Sequence, residues 1–75
     1  MRNVHTLPVG RQARVTSVGG ERSFRRRLME LGLLPGTSVR VVRRVPLGGL
    51  VELEVRRGRL TVRCDEADQL FVEEV

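Results

Sequence analysis

Val51-Glu52-Leu53-Glu54-Val55-Arg56-Arg57-Gly58-Arg59-Leu60-Thr61-Val62-Arg63-Cys64 decides the fold class, because apolar and polar residues alternate on both sides of Arg57-Gly58. A period of two places Val51, Leu53 and Val55 on one face and Glu52, Glu54 and Arg56 on the other. Leu60, Val62 and Cys64 oppose Arg59, Thr61 and Arg63 in the same way. Two such runs around Arg57-Gly58 predict two strands joined by a tight hairpin, with one face buried and one wet.

Toward the N-terminus, Pro46-Leu47-Gly48-Gly49 is a loop. Before it, Thr37 to Val45 predicts another strand, with Val39 and Val41 alternating against Ser38 and Arg40; Val42 breaks the alternation and predicts a bulge. Pro35-Gly36 is a turn. From Glu21 to Leu31 the period becomes helical: Phe24, Leu28 and Leu31 form one stripe at i, i+4 and i+7, and Met29 projects away from it. Ser23 is a candidate N-cap, Gly32 a candidate left-handed C-cap, and Arg26 and Glu30 share the opposite face. Arg11 to Val18, with Ala13 and Val15 on one face, predicts the first strand, ended by Gly19-Gly20.

Beyond the hairpin, Asp65 and Asp68 suit a capped helical turn, and Leu70 to Val72 predicts the last strand. The expectation is a mostly β fold: five short strands that must curl into a small barrel to bury one face, one amphipathic helix, and a short helical turn near the C-terminus. Phe24, Leu28, Leu31, Val39, Val41, Val51, Leu53, Val55, Leu60 and Val62 should form its core. With no linker and no repeat, residues 1–75 read as one domain.

Composition narrows the function. Hydrophobic residues make up 40% and charged residues 31%, a globular balance. No apolar run nears the roughly 20 residues needed to cross a bilayer, Met1-Arg2-Asn3-Val4-His5 lacks the apolar core of a signal peptide, and the single Cys64 allows no internal disulfide; the expectation is cytoplasmic, without membrane insertion. The net charge is +5, and all 14 basic residues are arginine. An acidic partner surface or nucleic acid suits that charge.

Catalysis is poorly supplied, since one histidine and no lysine leave neither a nucleophilic triad nor a phosphate-binding loop; the chain reads as a non-enzyme without a cofactor. For a metal, His5, Cys64 and the carboxylates Asp65, Glu66 and Asp68 are the only candidates. His5 reads as a solvated residue, Cys64 as a small buried hydrophobe and the carboxylates as a capped turn, so no metal ligand is assigned. A basic nucleic-acid-binding barrel is the alternative function. Such barrels stack bases on aromatic side chains, and Phe24 and Phe71 are the only aromatic residues, which argues against that partner. Arg25, Arg26 and Arg27 point in three directions on a helix and make no single patch.

Arg26-Arg27-Leu28-Met29-Glu30-Leu31-Gly32-Leu33-Leu34-Pro35-Gly36-Thr37 resembles the signature of the FeoA family, in which a basic pair, Leu, any residue, Glu-Leu-Gly, two residues and Pro-Gly-Thr close a helix and open a strand. Leu7-Pro8-Val9-Gly10 resembles the family's opening, Val45-Pro46-Leu47-Gly48 its apolar loop, and Leu60-Thr61-Val62-Arg63 with Glu66-Ala67 its last hairpin strand and turn. Leu50 departs from the pattern, standing where a second proline is usual. The resemblance covers nearly the whole chain. It implies an SH3-like domain acting as an accessory adaptor in bacterial ferrous-iron uptake, docked on the cytoplasmic GTP-binding part of the FeoB transporter. By family association it also implies transition-metal-ion binding. Similar domains form the C-terminal part of repressors of the diphtheria toxin repressor type, for which this chain has no helix-turn-helix.

The docking surface is expected at the Pro46 to Leu50 loop. Leu47 and Leu50 gain little there from the barrel's own core, Met29 adds an apolar side chain from the helix, and Arg43 and Arg44 set orientation and on-rate. The occupant is the transporter domain or a second copy of the chain.

Overall fold

The computed structural model describes residues 2–56 and 58–75. Strands β1 (Arg2–Asn3), β2 (Gln12–Val18), β3 (Ser38–Val45), β4 (Leu50–Val55), β5 (Gly58–Arg63) and β6 (Leu70–Glu74) form one sheet in the order β1-β6-β2-β3-β4-β5, antiparallel throughout. Helix α1 (Arg22–Glu30) lies between β2 and β3, and the short α2 (Cys64–Ala67) between β5 and β6. The extents of 27 × 27 × 25 Å show that the sheet curls around its apolar face instead of lying flat.

Six strands stand where five were expected. The additional β1 has two residues, too few to show a period, and pairs with Val72 and Phe71 of β6. A 3-10 turn over Val4–Thr6 follows it, where Asn3 Oδ1 accepts from the Thr6 amide at 3.1 Å. This turn sends Val4 and Leu7 fully into the core. The β4–β5 register pairs Val55 with Gly58, so Gly58 belongs to β5 and not to the turn as expected; Arg57, the other residue of the expected turn, lies outside the described residues.

Two bulges decide which side chains face inward. In β2 the register slips between Val15 and Ser17, which brings Val18 inward beside Leu70. In β3 it slips between Val41 and Arg43, at the expected Val42. Opposed residues of an antiparallel pair share a face, so beyond this bulge Arg43 joins Glu52 outside and Arg44 joins buried Val51 inside. Without the extra residue, Arg43 would follow Val41 inward.

Of the ten expected core residues, Leu28, Val39, Val41, Val51, Leu53 and Val62 are buried, while Phe24, Val55 and Leu60 are half-buried against them. Leu31 is the correction: it is 49% exposed, and Leu33 takes the buried place. The cause is how α1 ends. Gly32 adopts φ 103°, its amide donates to the Met29 carbonyl at 3.0 Å, and the Leu33 amide donates to the Leu28 carbonyl at 3.1 Å. This paired closure turns the chain back over the last helical turn, so Leu33 packs with Leu28 while Leu31 stays outside. Met29, expected to project away, is half-buried against the core.

Neither expected N-cap forms as read. Glu21 occupies the cap of α1 without a side-chain hydrogen bond, so Ser23 does not cap it. At α2 the Glu66 carboxylate accepts from the Arg63 amide at 2.8 Å, and Asp65 accepts from the Glu66 amide at 3.0 Å. Asp68 follows that helix as its C-cap.

Candidate partner-docking surface

The β3–β4 connection begins and ends on the pair Val45 and Leu50, leaving Pro46-Leu47-Gly48-Gly49 as a four-residue turn. Its conformation needs glycine twice, at Gly48 (φ 102°) and Gly49 (φ 62°). The Gly49 amide donates to the Pro46 carbonyl at 3.2 Å, and the Gly49 carbonyl accepts from the Cys64 amide at 2.8 Å. The turn is therefore closed on itself and tied to the start of α2. Leu47 is held at its tip, 91% exposed.

The other expected docking residues fall at four separate places. Pro46 is exposed beside Leu47, and Leu50 is half-buried at the start of β4, where it shares a hollow with Phe24, Arg27 and Thr61. Arg43 lies on the outer face with its Nε 3.1 Å from Glu52 Oε1, so its charge is already partly compensated. Arg44 is turned inward. Its Nη2 donates to the carbonyls of Val4 (3.2 Å), His5 (2.8 Å) and Leu7, which fastens the N-terminal 3-10 turn onto β3. Met29 lies apart from the turn, in a shallow hollow with Arg22, Arg25 and Arg26.

Sequence reasoning missed a second apolar surface. Leu34 is 50% exposed, and with Leu31, Thr37, Val55 and Leu60 it lines a hollow of about 460 Å³ between the end of α1 and the β4–β5 hairpin. Arg56 and Arg59 stand at its edge. The signal was present in Gly32, because a left-handed cap at that position directs Leu33 inward and so releases Leu31.

Among the described residues no three His, Cys, Asp or Glu side chains come together as a metal site. His5 Nδ1 and Asp68 Oδ1 approach to 3.8 Å, and Cys64 is half-buried against the core. Among the described residues no helix is long and apolar enough to cross a membrane.

The comparisons with known proteins agree with this geometry. The FeoA protein of Chlorobium tepidum superposes with a TM-score of 0.90 at 39% identity, covering 99% of this chain and 70% of that one. The FeoA of Stenotrophomonas maltophilia, solved with zinc and described as a prokaryotic SH3 domain protein and a candidate activating factor for ferrous iron transport, gives 0.82 at 32% identity, covering 97% and 91%. A manganese-dependent transcriptional repressor gives 0.90 at 16% identity over 99% of this chain and 36% of its own, a likeness of fold alone. The fold is thus SH3-like. The model of the FeoA domain matches residues 2–74, and together with the relatives at 39% and 32% identity it establishes that the chain belongs to the FeoA family, a family of small accessory proteins linked to ferrous iron transport.

Proposed function

We infer that this protein is a non-catalytic adaptor of ferrous-iron uptake, working in the cytoplasm as a single domain that docks on the GTP-binding part of a FeoB-type transporter. The observation that carries the reading is Leu47, 91% exposed on a turn whose backbone is fixed at its base. A leucine held rigidly in water loses little further entropy on binding and gains the full apolar term when covered. Pro46 and half-buried Leu50 continue that surface. The unpaired part of the +5 charge supplies the on-rate toward an acidic partner.

Leu47→Asp tests the reading in a pull-down with the purified cytoplasmic domain of the transporter. Co-purification should be lost, or a homo-oligomer dissociated, with far-UV spectrum and thermal midpoint unchanged. Retained binding by the folded variant would place the docking face elsewhere. A filter-binding titration with RNA and single-stranded DNA separates the adaptor from a nucleic-acid binder. Phosphate binding would appear as tight retention that falls steeply with salt.

A further inference from the structure

The sheet ends on β5, and among the described residues the backbone of Gly58–Arg63 pairs with β4 alone. Its other edge offers unpaired amide and carbonyl groups, which a second extended chain can use. The edge faces two hollows in line. At one end, Leu31 and Leu34 on the α1 side oppose Gly58, Arg59 and Leu60; at the other, Phe24 and Arg27 oppose Thr61, Val62 and Arg63, with Leu50, Asp65 and Glu66 also in the wall and Glu66 paired to Arg27, so only the first hollow suits an acidic side chain. A groove with β5 as its common wall therefore runs beside α1. Its first hollow lies at the opposite end of β4 from the Leu47 turn, whereas Leu50 in the second stands beside that turn.

The chemistry of the first hollow selects the occupant. No carboxylate lines it, whereas Arg56 and Arg59 do, and neither is ion-paired among the described residues. Glu54 stands opposite Arg59 on β4, but its carboxylate is engaged by Arg40 at 2.6 Å, as that of Glu52 is by Arg43 at 3.1 Å. We propose that this groove takes an acidic extended segment of a protein partner, added as a strand to the open edge of β5, with an apolar side chain seated among Leu31, Leu34 and Leu60 and its carboxylates on Arg56 and Arg59. Leu60 and Arg59 are neighbours on β5 and point to opposite faces, so alternation along an added strand sends one set of side chains toward the leucines and the other toward the guanidiniums.

A short capped peptide alternating Glu and Leu is the probe, titrated into isotope-labelled protein. Saturable amide shifts should concentrate in β5 and residues 31–34, with slowed exchange of the β5 amides that do not bond to β4, and affinity should fall with salt. Leu34→Asp and Arg59→Glu, both at exposed positions, should each weaken binding about tenfold or more, and Leu47→Asp should leave it unchanged. Proline at the middle of the peptide should abolish the protection. Equal binding of a Lys-for-Glu peptide, no saturable shifts, or shifts centred on the Leu47 turn would overturn the proposal. The same shifts on concentrating the protein alone would overturn it in favour of a second copy, and tighter binding of single-stranded RNA at these residues in favour of nucleic acid.

Discussion

Arg44 is a charged residue whose work lies inside the molecule. Its guanidinium serves the carbonyls of Val4, His5 and Leu7, groups that the short 3-10 turn leaves without backbone partners of its own beyond Val4 to Leu7. Hydrogen bonds from a charged donor are each worth about 1.5 to 3 kcal/mol, well above an exposed ion pair at about 0.2 to 1 kcal/mol. Arg44→Met, which keeps the stem and removes the donors, should therefore lower stability by roughly 2 kcal/mol or more, whereas Arg43→Met should cost under about 1 kcal/mol. Denaturant melts of the two variants give the comparison; equal losses would mean that Arg44 is ordinary surface. Gly32 offers a cleaner case. An added Cβ there meets nothing within 4 Å, so Gly32→Ala carries only the backbone penalty of the left-handed region, about 1 to 2 kcal/mol. A larger loss would require a clash that the geometry does not contain.

Elements differ in how openly the sequence declares them. The β4–β5 hairpin is legible because six residues on each side alternate without interruption, and the bulge at Val42 is legible because it breaks such an alternation. Its further effect, that Arg44 and not Arg43 turns inward, follows from pairing with β4, which no single strand's pattern contains. Leu31 misleads because a helical period extends smoothly past Glu30, while the closing hydrogen bonds of Gly32 and Leu33 have already ended the helix. β1 and its 3-10 turn are silent: two residues have no period, and Val4 and Leu7 become core only through contacts with distant strands. The exposure of Leu47 is legible from the two glycines after it, but that of Leu34 depends on the direction of the chain after the cap. Within α1, Leu28 is fully buried and Leu31 is not, so Leu28→Ala should cost roughly 2 to 5 kcal/mol and Leu31→Ala about 1 kcal/mol or less. Similar thermal midpoints for the two would contradict the orientation of the helix.

The whole molecule sets its ionisable groups apart instead of gathering them. Carboxylates are spent along the sheet and the chain ends, as in the pairs Arg40–Glu54, Arg43–Glu52 and Glu74 with Arg2 and Arg11. Calorimetric titration with Fe(II) or Zn(II) should accordingly give no one-to-one isotherm tighter than about micromolar, and purified protein should hydrolyse no GTP. A tight isotherm abolished by His5→Ala and Cys64→Ser would show that donors converge in solution. The strand order carries one more consequence, for synthesis. β6, synthesised after every other strand of this sheet, lies between β1 and β2, the first two of it. On the ribosome, the early strands can form no complete sheet until residues 70–74 have left the exit tunnel, and until then Val4, Val15 and Val18 have no neighbours from β6. The β2-β3-β4-β5 meander can pair earlier, but the β1-β6-β2 side closes only through contacts distant in sequence, which places completion of the sheet in the slow regime of non-local β pairing.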